Sequence, residues 1–268
     1  MATTSTDAPP TGPARPPRLA APARRQRRAA GRRVGWVAVL LTSLAIVTYS
    51  AVPYLMGSLG QLDPDRAPLA AAYSQTPTVV QVALVVHVVG AAVALVVGPF
   101  QFWAASRRRF PGLHRWLGRT YLVGVWVGGV AALVMAPYNT AGMIGFLGFG
   151  TLGVLWVWTG WRAYRAIRTG DVRSHQAWMI RNFSLTFAAV TLRTWTGVLV
   201  AAQVYAAGDA FDFDAAFENA YNAVTLLAWV PNLLIAEWMV RRRGLPTLRI
   251  VDPTTPDPRA GTAQAERR

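Results

Sequence analysis

The sequence predicts an all-α membrane protein: a six-transmembrane-helix bundle with both termini in the cytoplasm and a disordered tail at each end. Three observations predict it. The chain is 53% hydrophobic and only 15% charged, against about 25% charged residues in a soluble globular protein. Several apolar runs approach the roughly 20 residues with which a helix crosses a bilayer. Arginines crowd alternate connections between those runs and are scarce in the others, as the positive-inside rule sorts them.

Residues 1–33 are rich in Pro, Ala, Thr and Arg, lack apolar periodicity, and read as a disordered basic cytoplasmic tail closing on "RRQRRAAGRR". The first helix, 34–55, follows at once. It is longer than a signal-peptide core and no clear A-x-A site comes after it, so it reads as an anchor. Further spans lie near 78–103, 116–136, 143–161, 178–206 and 217–240, and 241–268 is a second disordered cytoplasmic tail. Pro53, Pro77, Pro137 and Pro246 fall near proposed ends, whereas Pro231 lies inside the last span and predicts a break there.

Loop charges support this division. The loop Met56–Pro77 holds Asp63, Asp65 and one arginine, Arg66. The next connection holds Arg107, Arg108, Arg109, Arg115 and Arg119, and the turn Pro137–Gly142 is uncharged. Arg162, Arg165, Arg168, Arg173 and Arg181 follow, then the acidic set Asp209, Asp212, Asp214 and Glu218, and finally Arg241, Arg242, Arg243 and Arg249. The expected location is the cell membrane, multi-pass. Trp36, Trp103, Trp116, Trp161, Trp178 and Trp238 fall at proposed cytoplasmic helix ends, the interfacial level that indole favours.

The formal net charge is +15. With arginines in tails and loops, this charge sets orientation and attracts anionic lipid head groups; no nucleic-acid motif accompanies it, so nucleic acid is not an expected partner. No protein partner is identifiable. The chain has no lysine, which excludes a Schiff-base lysine. It has no cysteine, which excludes disulfides, thiolate metal sites, Cys-ligated iron–sulfur clusters and c-type haem attachment. No G-x-S-x-G, H-E-x-x-H or P-loop is present, and no carboxylate pair is placed in the membrane for acid–base work, so no catalytic residue is assigned.

Gly124 and Gly128 form a GxxxG pair, and "GMIGFLGFGTLG" follows on the next span. Small residues allow close helix approach in lipid. Packing within the chain is the simpler use; a dimer interface is the alternative.

The stretch "HQAWMIRNFSLTFAAVTLRTW", His175 to Trp195, places polar side chains on an apolar helix. At about 100° per residue, His175, Asn182, Thr186 and Arg193 return to nearly one face of an unbroken helix. Such a stripe belongs toward the bundle interior or a water-filled cavity. Arg193 is the costly member: either it snorkels to the outer interface or it serves a pocket or buried pair. His87, on the second span with Ala91, Ala94 and Gly98 on its face, lies at similar depth, and the two can line one pocket.

His114 and His175 make a second pair. Each stands at the start of a helix entering from the cytoplasm, in "LHRWLGR" and "HQAWMIR". Their level suits either interfacial histidines that bond backbone or lipid phosphate, or a polar site in which Arg115, Arg119 and Arg181 attract an anion. Glu237, near the cytoplasmic end of the last span, is a candidate counter-charge.

These stretches, with "HVVGAAVALVVGPFQF", resemble the bacterial predicted membrane proteins called domain of unknown function 2306, over residues 87–195 and plausibly to Val240. The resemblance implies histidine at His87, His114 and His175, and arginine at Arg115, Arg119, Arg181 and Arg193, as family features. It implies no established activity.

Three functions remain. The first is a non-catalytic binding or assembly protein with a His/Arg-lined polar site. The second is a redox protein holding one b-type haem between His114 and His175. The third is a small-molecule or proton-coupled transporter using the polar stripe and His87, which lacks support from any internal repeat.

Overall fold

The computed structural model describes residues 21–56 and 72–247. Most of both expected tails, and Asp63, Asp65, Arg66 and Arg249, lie outside the described residues. The chain divides between Val39 and Leu40. Within the first unit the described residues form only the beginning of the first helix; the packing below belongs to the second.

Among the described residues the regular structure is entirely helical. The helices are α1 (Ala21–Met56), α2 (Thr78–Gln101), α3 (Ala104–Arg109), α4 (Pro111–Met135), α5 (Gly142–Arg168), α6 (Val172–Thr186), α7 (Ala188–Ala207), α8 (Phe213–Leu227) and α9 (Val230–Arg242). Six stretches are long and apolar enough to cross a membrane: Arg33–Ala51, Thr78–Gln101, Pro111–Tyr138, Gly142–Arg168, Val172–Ala210 and Phe213–Arg242.

Several ends differ from expectation. A tail was expected up to residue 33, but α1 begins at Ala21. The intervening run is mostly Ala and Arg, both good helix formers, behind a proline that suits a first turn. α4 begins at Pro111, not 116, again with proline in the first turn, which puts His114 inside a helix. α5 runs on to Arg168. α6 starts after Asp171, whose carboxylate accepts the Ser174 N–H at 2.9 Å as an N-cap.

α2 and α4 meet along glycines. A Cβ on Gly90 would stand 2.9 Å from the backbone of Gly124 and Gly128, and one on Gly124 would stand 2.8 Å from Gly90 O. The GxxxG pair is therefore used inside the chain, backbone against backbone. The largest buried apolar cluster, including Ala94, Tyr121, Val125, Trp156, Trp178 and Leu185, joins α2, α4, α5 and α6.

The fifth and sixth spans are both interrupted. Pro231 sits in the first turn of α9, after a break at Ala228 and Trp229, as its missing N–H requires. The break at Phe187 has no proline or glycine. Instead, hydroxyls compete for backbone carbonyls around it: Ser184 Oγ donates to Arg181 O at 2.7 Å and Thr186 Oγ1 to Asn182 O at 3.1 Å. The break exposes Ser184 O, which accepts from Asn232 Nδ2 at 3.2 Å.

Candidate functional site

One end of the helices gathers the arginines. Arg107 Nη1 donates to Gln101 O at 2.9 Å, joining α3 to the end of α2. Arg173 donates to Gly244 O, joining the start of α6 to the end of α9. Arg107 lies outside the spans. Its partial burial lowers its pKa from the usual arginine range, and the neighbouring Arg108 and Arg243 push the same way. Arg115 and Arg119 are exposed on α4. Tryptophans at this end carry cations on their faces: Arg162 is 4.8 Å from the Trp178 ring centre and Arg242 is 4.2 Å from that of Trp238.

Arg181 differs from the rest. It is 1% exposed and lies 4.7 Å over the Trp178 ring. Its Nε donates to Glu237 Oε1 at 2.5 Å and its Nη2 to Oε2 at 3.0 Å, with Pro246 O at 3.4 Å. The carboxylate thus receives a two-pronged grip. Glu237 is the counter-charge expected from the sequence, and it consumes Arg181, which is not an open anion site. Among the described residues this is the ion pair present, so Arg107–Arg109, Arg115 and Arg119 keep uncompensated charges.

His114 and His175 both lie at this end, within electrostatic reach of each other, and Arg107 is within the same reach of His114. His175 Nδ1 is 2.9 Å from Ala163 O. A carbonyl can only accept, so Nδ1 carries the proton and Nε2 is the lone-pair nitrogen of the neutral ring. His114 Nδ1 is buried without a hydrogen-bond partner, and so is Gln101 Nε2. Gln101 Oε1 would touch a Cβ at Gly118, one turn along α4 from His114, which places the two unpartnered groups in one region.

Asn182 and Thr186 belong to a different structure. Both are buried within a closed hydrogen-bond network. Asn182 Nδ2 donates to Trp156 O at 2.7 Å and Thr159 Oγ1 at 2.8 Å, and its Oδ1 accepts from Tyr121 at 2.6 Å. Thr186 Oγ1 accepts Trp156 Nε1–H at 2.8 Å and lies 2.8 Å from the Tyr121 hydroxyl oxygen. Protein groups occupy these donors and acceptors. The network ties α4, α5 and α6 together and leaves Asn182 and Thr186 no free group for a ligand.

The helix that carries the expected stripe from His175 to Arg193 is interrupted at Phe187, between α6 and α7. Arg193 Nη1 donates to Ala189 O at 2.8 Å, one turn back toward the break. The side chain therefore reaches inward and does not snorkel toward the acidic end, where Asp212 caps α8 by accepting from Asp214 N at 2.9 Å. His87 is half-buried, with Nδ1 2.9 Å from Gly128 O and its ring edge-on to Trp156 at 6.3 Å. His87 and Arg193 are within electrostatic reach, so these two are brought to one region.

Sequence reasoning did not find Tyr121, Trp156 and Thr159, which look like ordinary apolar-helix positions until their partners on α6 are known. It also did not find Gln101, whose place as the last polar residue of an apolar helix was the available signal.

Residues 84–240 match the family model described as "Predicted membrane protein (DUF2306)". No curated protein and no solved structure matches the chain.

Proposed function

The chain belongs to this family of predicted membrane proteins, and we propose that it is a non-catalytic lipid-binding membrane protein whose arginine-rich end holds anionic head groups. One observation carries the reading. At that end Arg181 is neutralised by Glu237, while Arg107, Arg108, Arg109, Arg115 and Arg119 have no carboxylate partner among the described residues. Uncompensated cations beside an apolar helix surface suit the interface of an anionic leaflet. By the positive-inside rule this end faces the cytoplasm of a multi-pass cell-membrane protein, and both tails are expected on that side.

The test is thermal melting of purified protein in nanodiscs of phosphatidylcholine, with and without phosphatidylglycerol. Anionic lipid should raise the melting temperature. The rise should shrink with added salt and in the Arg107→Gln, Arg108→Gln, Arg109→Gln triple variant. Equal melting in both lipids would contradict the reading. The chain contains no cysteine, so single cysteines at Thr140 and Thr169, probed with an impermeant maleimide in intact cells, report orientation. Label at Thr140 alone is expected; label at Thr169 alone reverses the topology.

A second reading rests on His114 and His175. His175, whose Nδ1–H is tied to a carbonyl, is oriented as metal-binding imidazoles commonly are, and with His114, whose Nδ1 is buried without a hydrogen-bond partner, it would hold one b-type haem. A b-type haem there predicts a Soret band in protein expressed with ample haem, lost in His114→Ala or His175→Ala. Colourless, folded protein under those conditions counts against it.

A further inference from the structure

Arg193 is placed and surrounded in a way that the lipid-binding reading does not use. It stands on α7 within a membrane span and spends one of its five N–H donors on Ala189 O, turning toward the middle of the span. The titratable groups within electrostatic reach of it are Tyr49 and Tyr54 of α1, Tyr221 of α8 and His87 of α2. None is a carboxylate, so the guanidinium has no counter-charge among the described residues.

The neighbours are neutral hydrogen-bonding groups at neutral pH. His87 Nδ1 is committed to Gly128 O, leaving Nε2 as an acceptor. Tyr54 packs against the cluster of Tyr73, Val80 and Leu84, and Tyr221 stacks on Phe217 at 5.8 Å, so the polar atoms sit among apolar surfaces. Arg193, Tyr54, Tyr221 and His87 are each half-buried, which leaves the group reachable from between the helices.

We propose that Arg193, with Tyr54, Tyr221 and His87 within electrostatic reach, binds a singly charged oxyanion carried by an apolar molecule: a long-chain carboxylate or the phosphodiester of a lipid. One cation without a carboxylate matches one negative charge. The planar guanidinium grips two oxygens of such a group, and the apolar walls take a hydrocarbon chain. A doubly charged phosphate monoester has no second cation to meet here.

The experiment uses the full chain in phosphatidylcholine nanodiscs, read by intrinsic tryptophan fluorescence, with Trp156 beside His87 as a reporter. Dodecanoate is titrated in one arm, its methyl ester in a second, and phosphatidylglycerol is incorporated in a third. Saturable binding of dodecanoate or phosphatidylglycerol, absent for the ester and weakened at least tenfold by Arg193→Gln, is expected, and the arm that responds identifies the source. Arg193→Lys keeps the charge but not the two-pronged grip, and serves if the Gln variant does not fold; it too should bind at least tenfold more weakly. No binding in either anionic arm, or affinity unchanged in both variants, overturns the proposal. Arg115→Gln, remote on α4, should leave this binding intact, which separates its failure from failure of the arginine-rich end.

Discussion

Thr191 Oγ1 lies 2.5 Å from the carbonyl oxygen of Ala228, a contact that ties together the interruptions of two different spans. The breaks at Phe187 and at Ala228–Trp229 each free backbone carbonyls, which are costly to leave unpaired in a membrane. Asn232 completes the tie: its Nδ2 is 2.9 Å from Thr191 Oγ1, 3.0 Å from Ala228 O and 3.2 Å from Ser184 O. Thr191→Val keeps the shape but removes the donor. It should destabilise the protein by about 0.5–1.5 kcal/mol, the usual net contribution of one hydrogen bond, since Asn232 still serves Ala228 O. Unchanged melting in detergent would show that the two breaks are independent.

Arg181 and Glu237 should behave as a buried ion pair. Glu237→Gln leaves a cation that is 1% exposed without its charge partner, a change that typically costs about 3–5 kcal/mol. Replacing both residues with methionine should recover much of that loss, since a well-packed apolar pair can substitute for a buried salt bridge. A double-mutant cycle followed by thermal melting measures this. Additive losses would argue against the pairing.

The glycine seam predicts a contrast between two positions. A Cβ at Gly90 meets backbone atoms of α4 at 2.9 Å, whereas one at Gly150 meets nothing within 4 Å. Gly90→Ala must push two helices apart and should lower the melting temperature. Gly150→Ala should be neutral or should stabilise by up to ~1 kcal/mol through helix propensity. Equal effects at both positions would contradict the close approach of α2 and α4.

Asp171 gives a pH-dependent prediction. Hydrogen bonds from Ser174 hold its carboxyl below the usual aspartate value. A lowered folded-state pKa means that the cap stabilises above the unfolded pKa and that this is lost as pH falls through the folded one. Asp171→Ala should therefore melt earlier than the parent at neutral pH. The difference should close only when pH drops below the ordinary aspartate range; a constant difference through that range would show that the ionised carboxylate contributes nothing.

The sequence made the coarse architecture legible because span length and charge placement are properties of single segments. Pro231 marked its break for the same reason. The break at Phe187 was invisible: its cause lies in hydroxyls bonding their own helix and in Asn232 arriving from another span. Asn182 and Thr186 read as candidate ligand groups until Tyr121 and Trp156, on two other helices, took up their hydrogen bonds. Arg181 and Glu237 could be paired in advance because both lie near one membrane level, which is a one-dimensional fact. Whether His114 and His175 also lie side by side required the helix packing.

The most direct test of the lipid-binding account is native mass spectrometry of protein released from bilayers of equal phosphatidylcholine and phosphatidylglycerol. The account predicts that the parent retains phosphatidylglycerol preferentially and that Arg107→Gln, Arg108→Gln, Arg109→Gln abolishes the preference in a folded protein. A parent that retains both lipids equally, or a triple variant with the parent's preference, would contradict it.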